Sequence, residues 1–203
     1  RRGDELFLDL SFPTISGYAD NGAIVHYEAE YETAKKLEAK GLYLFDSGAT
    51  YKDGTTDVTR TISLGENTYE EKLHYTLVTI GMLRLLNTIF KRGAIGVCLD
   101  IKAREALWEH RLDYNHGTGH GVGFVNTVHE APTSIRNKIN KDVFRNLEFE
   151  PGMIMSDEPG VYISGKHGIR MEILMTVADK GEGFLRFEPL TMAPIDSEPL
   201  LVE

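Results

Sequence analysis

The chain has 203 residues, 41% hydrophobic and 26% charged, with a net charge of −9. This is ample for one substantial core; the interspersed charge offers nucleic acid no basic patch, and no apolar run reaches a membrane span. Cys98, the one cysteine, excludes an internal disulfide framework and fits a reducing, cytoplasmic setting.

In chain order, strand signals come first. Segments 22–27, 42–46 and 55–64 are rich in β-branched and aromatic residues and punctuated by glycine. Lys52-Asp53-Gly54 separates the last two, and Asp-Gly suits a tight hairpin with positive φ. That hairpin carries Asp46 and Asp57 onto neighbouring strands. Both aspartates end strand-like runs, where burying a carboxylate without a counter-charge is costly or forces protonation. A bound metal is the expected cation.

Helix signals follow. Thr68 and Glu71 have the spacing of a capping box, and Leu73, Leu77, Ile80, Leu83, Leu86 and Phe90 recur at helical steps up to Gly93. One long helix is predicted over 68–91, and a shorter one from Asp100 through Trp108. Beyond residue 111 the texture turns to glycine-rich strands and turns: 115–123, a strand-like 124–128, then 150–162 and 168–177. Alternation in the last of these puts Arg170 and Glu172 on one face, and Ile169, Met171 and Ile173 on the other. Hairpin, helices and further hairpins predict a single α+β domain, its helices covering one face of a curved antiparallel sheet.

Five groups are candidate ligands: Asp46, Asp57, His120, Glu158 and Glu172. Four carboxylates and one imidazole suit a hard divalent ion such as manganese better than a structural zinc. Four carboxylates would over-neutralise one ion, whereas two ions sharing bridging carboxylates balance the charge. Paired ions activate water and polarise a carbonyl, so the implied chemistry is hydrolysis. Asp53 and Asp157 read as turn or supporting residues, His74 as a surface or packing residue, and His167 is left open.

The segments 46–61, from Asp-Ser-Gly-Ala-Thr to Asp57-Val-Thr-Arg-Thr, and His116-Gly-Thr-Gly-His120-Gly-Val-Gly resemble the catalytic domain of the aminopeptidase P family. These are X-prolyl aminopeptidases of the pita-bread dinuclear metallopeptidases, here in the long, three-domain form. The similarity runs from about residue 10 to residue 195. It implies two pseudo-symmetric halves around a strongly curved sheet, and removal of an N-terminal residue that precedes proline. It also implies that the chain is the catalytic domain of a longer protein, truncated at both ends, whose full-length parent is a homodimer.

Carried over by position, Asp46 holds one metal, His120 the other, and Asp57 and Glu172 bridge them. Glu158 is a ligand of the second metal and the general base. His129 matches a proton-shuttling or intermediate-steadying histidine, and His26 one that contacts the substrate near the scissile bond. His116 matches a wall of the proline pocket, Arg170 a substrate-side contact, and Tyr162 a further pocket residue. The implied cofactors are two divalent ions, Mn2+ before Zn2+ or Co2+. The implied partners are peptides with proline second, not nucleic acid or membrane. A prolidase cleaving Xaa-Pro dipeptides shares these ligands. Its competitor from another class is a non-catalytic pita-bread binding module, and methionine aminopeptidase fits the motifs less well.

Overall fold

In the computed structural model, which describes residues 4–125, 127–139 and 147–202, the chain opens with strands β1 (Phe7–Leu10) and β2 (Ile15–Tyr18). The strand expected over 22–27 is absent. Residues Ala19–Ala23 instead form a 3-10 turn that folds back onto β2. The cause is tertiary: the backbones of Gly17 and Gly22 touch, and a Cβ on Gly17 would lie 2.8 Å from the Gly22 Cα. His26 therefore sits on a loop.

The hairpin around the two aspartates forms, with a kink. Strand β3 (Leu42–Ser47) runs into β4 (Ala49–Tyr51), and the chain returns as β5 (Gly54–Thr55) and β6 (Val58–Ser63). Gly48 makes the bend, because a Cβ there would lie 2.0 Å from the Thr56 carbonyl oxygen. Outer and inner ribbons thus separate into two three-stranded sheets, β1-β4-β5 and β2-β3-β6. Tyr51 pairs with Gly54, so the turn is Lys52-Asp53, and neither Asp53 nor Gly54 takes the expected positive φ. Along β3 burial alternates: Leu42, Leu44 and Asp46 share the inward face.

Helix α1 (Tyr69–Leu86) begins at the anticipated capping box: Glu71 N donates to Thr68 Oγ1, and Thr68 N donates to Glu71 Oε2 at 2.7 Å. Such a cap contributes about 1 kcal/mol. The helix ends five residues before the predicted position. Ile89–Lys91 form β7 instead, adding to the edge of a sheet and burying Phe90 against Phe149 and Phe187. Tertiary pairing overrides local periodicity here. The second helix is α3 (Ile101–Glu109), preceded by a single turn, α2 (Gly96–Leu99).

The remaining chain is β8 (Gly119–Gly121), β9 (Glu130–Ile135), β10 (Ile154–Asp157), β11 (Gly160–Ile163), β12 (His167–Arg170), β13 (Ile173–Gly181) and β14 (Phe184–Pro189). The described residues of 124–128 are loop rather than strand; Gly123 N donates to Thr127 O, and Asn126 lies outside the described residues. Six strands make an antiparallel sheet in the order β7-β14-β13-β10-β8-β9, and β11-β12 form a separate ribbon. Met155, Met175, Leu185 and Phe187 of the large sheet pack beneath Leu85 and Ala103 of the helices. A second cluster joins Tyr75, Val78 and Leu107 to Val161, Ile169, Met171 and Ile173.

Helix α1 also meets β12 through a buried pair: His74 Nδ1 lies 2.9 Å from His167 Nε2. Burial holds both imidazoles below their ordinary range; Glu70, Glu71, Lys166 and His110 supply the smaller fields around them. With folded values below about 6.5, the unfolded chain binds more protons in that window. Stability is therefore lost as pH falls from neutrality through the depressed values. In chelator, the melting temperature should drop between pH 7 and 5. A His74→Leu/His167→Leu double variant should drop less; equal drops would contradict this account.

Candidate metal centre

The two sheets place five donor residues on one floor. Asp46 comes from the end of β3, Asp57 immediately precedes β6, His120 lies in β8, Glu158 follows β10, and Glu172 precedes β13. Thr59 couples the halves, its carbonyl accepting from Glu172 N at 3.1 Å and its hydroxyl donating to Glu172 Oε2 at 2.8 Å. Through the hydroxyl of Ser156, which accepts from His120 N and donates to Glu158 Oε1 at 3.1 Å, two more of the five are linked. Neither hydroxyl stands out in the sequence. Thr59 is hidden in a strand-like run and Ser156 reads as an ordinary core-strand residue.

His120 Nε2 lies 3.1 Å from Glu158 Oε1 and 3.5 Å from Asp57 Oδ2. Its Nδ1–H donates to the Gly121 carbonyl at 2.9 Å, which aims Nε2 into the cluster. Asp46, Asp57 and Glu172 are 8%, 4% and 1% exposed. Burial and the charges of Asp57, Glu158 and Asp46 push the Glu172 carboxyl well above its usual range. Asp57 is raised by burial first, then by Asp46 and Glu158, with His120 opposing. Burial alone would lower His120, but Asp57 and Glu158 outweigh it and push the imidazole up to about 11.

The donor set fits a divalent ion, and more than one. Asp46 Oδ1 and Glu172 Oε1 are buried acceptors without a hydrogen-bond partner among the described residues. Three triads each offer ligand atoms within 4.8 Å of one another: Asp46-Asp57-Glu172, His120-Glu158-Glu172 and Asp57-His120-His129. The first two cover all five expected residues and share Glu172. Hard carboxylate oxygen with one imidazole is the chemistry of Mn2+-like ions.

Above this floor opens a pocket of about 470 Å³. His26, His116, His129 and Arg170 line it, as do Phe12, Pro13, Ile15 and Val25 on an apolar flank. His129 stands edge-on to His120, their ring centroids 4.2 Å apart, and burial followed by the His120 charge lowers its pKa. Arg170 is spent on protein groups: Nη2 donates to Asp46 Oδ2 at 2.8 Å and Nη1 to Tyr162 OH at 2.9 Å. Tyr162 does not line the pocket. Its hydroxyl stands behind the wall, 2.8 Å from His116 Nε2, and joins that ring to Arg170. Alternation holds through this segment, with Arg170 and Glu172 facing the pocket and Ile169, Met171 and Ile173 in the core.

Asp53 is an exposed turn residue. Asp157 is fully buried on β10, with neither oxygen hydrogen-bonded among the described residues. Burial, then the Glu158 charge, pushes its carboxyl well above the usual range.

Strands from both ends of the chain thus enclose a floor of candidate metal ligands in an α+β fold. The chain belongs to metallopeptidase family M24, whose sequence profile matches residues 1–179, and its fold is the pita-bread fold of that family. It is 43% identical over 205 residues to aminopeptidase P1 of Lotus japonicus, covering 98% of this chain and 30% of the relative. It is 44% identical to a probable Xaa-Pro aminopeptidase P of Tuber melanosporum, over 96% of this chain and 32% of the relative. The chain spans about a third of the length of these relatives. Among solved structures, the X-prolyl aminopeptidase of Caenorhabditis elegans, described as a cytosolic enzyme with a di-nuclear active site, superposes with a TM-score of 0.91 at 38% identity. That match covers 98% of this chain and 33% of the other. The prolidase of Pyrococcus furiosus follows at 0.78 and 27%, covering 93% of this chain and 51% of its own. No helix among the described residues is long and apolar enough to cross a membrane.

Proposed function

We propose that this domain hydrolyses the N-terminal Xaa-Pro bond of peptides, with two divalent ions, Mn2+ foremost, held by Asp46, Asp57, His120, Glu158 and Glu172. The observation that carries this reading is the pair of orphaned buried oxygens, Asp46 Oδ1 and Glu172 Oε1, on the floor of a histidine-walled pocket. Similarity to relatives named for Xaa-Pro cleavage supports the choice of substrate. The setting is cytoplasmic and the assembled protein a homodimer.

When bound, two such ions would lower the pKa of the attacking water and draw charge from the scissile carbonyl. The chain supplies the rest. Asp46 and Asp57 approach from one half, and His120, Glu158 and Glu172 from the other. Glu158 takes the proton of the attacking water. His26 and His129 stand over the floor, where they donate to the oxygen that gains charge as the carbonyl is attacked. The proton taken up by Glu158 is then relayed through His129 to the leaving nitrogen, which returns both groups to their starting protonation states. Proline at the second position makes the scissile amide tertiary and removes its N–H. Recognition therefore falls to shape, with His116 as the wall against the ring and Tyr162 and Arg170 bracing it.

Xaa-Pro-Yaa tripeptides and Xaa-Pro dipeptides, offered with added Mn2+, test the reading. Cleavage of the tripeptide is expected, and cleavage of the dipeptide alone would make this a prolidase. His129→Ala should lower kcat about 10²-fold, the scale of a lost acid–base group, while manganese content stays at two ions per chain. Metal depletion in that variant would identify His129 as a ligand, as its triad with Asp57 and His120 allows.

A further inference from the structure

Behind the pocket wall, the largest fully buried side chain among the described residues is a charged one. Arg104, on α3, has no exposed surface and uses every edge of its guanidinium. Nε donates to Asp100 Oδ2 at 2.7 Å; Nη1 donates to Asp113 Oδ1 and to the Tyr114 carbonyl, each at 2.6 Å; Nη2 donates to the His116 carbonyl at 2.9 Å. Its carbon lies 3.7 Å from the centroid of the Tyr114 ring. The other oxygen of Asp100 accepts from Thr118 Oγ1 at 2.6 Å. Arg104 and the capping residue Asp100 thus hold the 113–118 loop by two carbonyls, the Asp113 carboxylate and the Thr118 hydroxyl.

The ring of His116 rests on that loop, its centroid 4.8 Å from that of Tyr114. The carbonyl of Thr118 accepts from Glu158 N at 2.8 Å. A buried ion pair is a weak source of stability, since apolar residues of like volume do as well or better. An apolar side chain could not bind three loop groups in one plane, nor could lysine with its single point charge. The arrangement is suited to fixing where the loop sits.

We infer that Arg104 is a positioning residue for substrate selection: by anchoring the carbonyls of Tyr114 and His116 to α3, it sets the wall against which the proline ring is measured. This rests on the reading of His116 given above. Arg104 touches no substrate and acts through His116. A loosened wall admits the ring less well and no longer distinguishes it from an open-chain tertiary amide.

The test compares two tripeptides that share a tertiary amide, one with proline and one with N-methylalanine in second place, on the Mn2+-loaded chain. The parent should favour proline in kcat/KM. In Arg104→Lys the ratio should fall about tenfold, expressed in the KM of the proline peptide, with two Mn2+ still bound. That is a smaller effect than the roughly 100-fold cost of a 1 Å misplacement at reacting atoms. The ratio is independent of how much protein is folded, so a purely structural role would leave it unmoved. Asp113→Ala, which removes a partner whose side chain is 46% exposed, should shift it in the same direction. An unchanged ratio in Arg104→Lys overturns the inference; if that variant does not fold, an unchanged ratio in Asp113→Ala does. A parent that cleaves neither peptide overturns the functional reading, and this inference with it. One that cleaves proline peptides while the variants keep its ratio overturns this inference alone.

Discussion

Glu158→Gln should lower kcat by about 10²- to 10⁴-fold, the range a general base contributes. Glu158 Oε1 lies 3.1 Å from His120 Nε2 and accepts from Ser156 Oγ at the same distance. Burial raises its carboxyl but the His120 contact outweighs it, so the group is held ionised and able to take a proton. Glutamine keeps the shape and removes that capacity. Its amide oxygen can keep the Oε1 position that faces both His120 and the Ser156 hydroxyl, so the change removes basicity more than contacts. Manganese should fall at one position more than the other, because Asp46, Asp57 and Glu172 still form a triad without Glu158. Steady-state kinetics with metal analysis checks both parts; turnover within tenfold of the parent would remove Glu158 from the role of base.

Larger still is the effect expected of Asp57→Asn and Glu172→Gln. Each residue is common to two of the three triads, so either change should damage both ion positions. Loss of an outer-shell partner alone costs about 10- to 100-fold in metal affinity, so at least 100-fold and undetectable turnover are expected here. Glu172→Gln carries a second signature of opposite sign. Its carboxyl is 1% exposed and crowded by Asp57, Glu158 and Asp46. Glutamine avoids the cost of bringing that carboxyl into the site, whether as a proton taken up or a charge repelled, so the melting temperature of the chelated protein should rise. Manganese at 1,000 times its dissociation constant stabilises a fold by about 4 kcal/mol, and the variant should lose that gain. A variant that melts lower in chelator yet higher with manganese would contradict the placement of Glu172.

The contrast between what sequence foretold and what it hid follows from the range of the forces involved. Strand alternation is local, so Arg170 with Glu172 on one side of their segment was legible from spacing alone, and so was the hairpin that carries Asp46 and Asp57. So was the capping box of α1. The 3-10 turn at Ala19–Ala23 was not, because it answers to backbone contacts of Gly22 with Gly17 and with Gly168, the latter far along the chain. The end of α1 was lost for the same reason: Ile89–Lys91 follow the sheet edge, not the helical period. Among the site's supports, Arg104 reads in sequence as an ordinary charged position on a helix. Only its burial reveals it.

The ligands' separation along the chain also orders events during folding. The β3–β6 ribbon can close locally, but the Arg170–Asp46 and Thr59–Glu172 bonds span 124 and 113 residues. Contacts so distant form late, after the entropy of closing the intervening chain has been met. An ion arriving early would find only Asp46 and Asp57, a weak pair of carboxylates. Tight capture awaits the docking of the last third of the chain onto the first, so the rate of metal uptake by a refolding chain marks the completion of the fold.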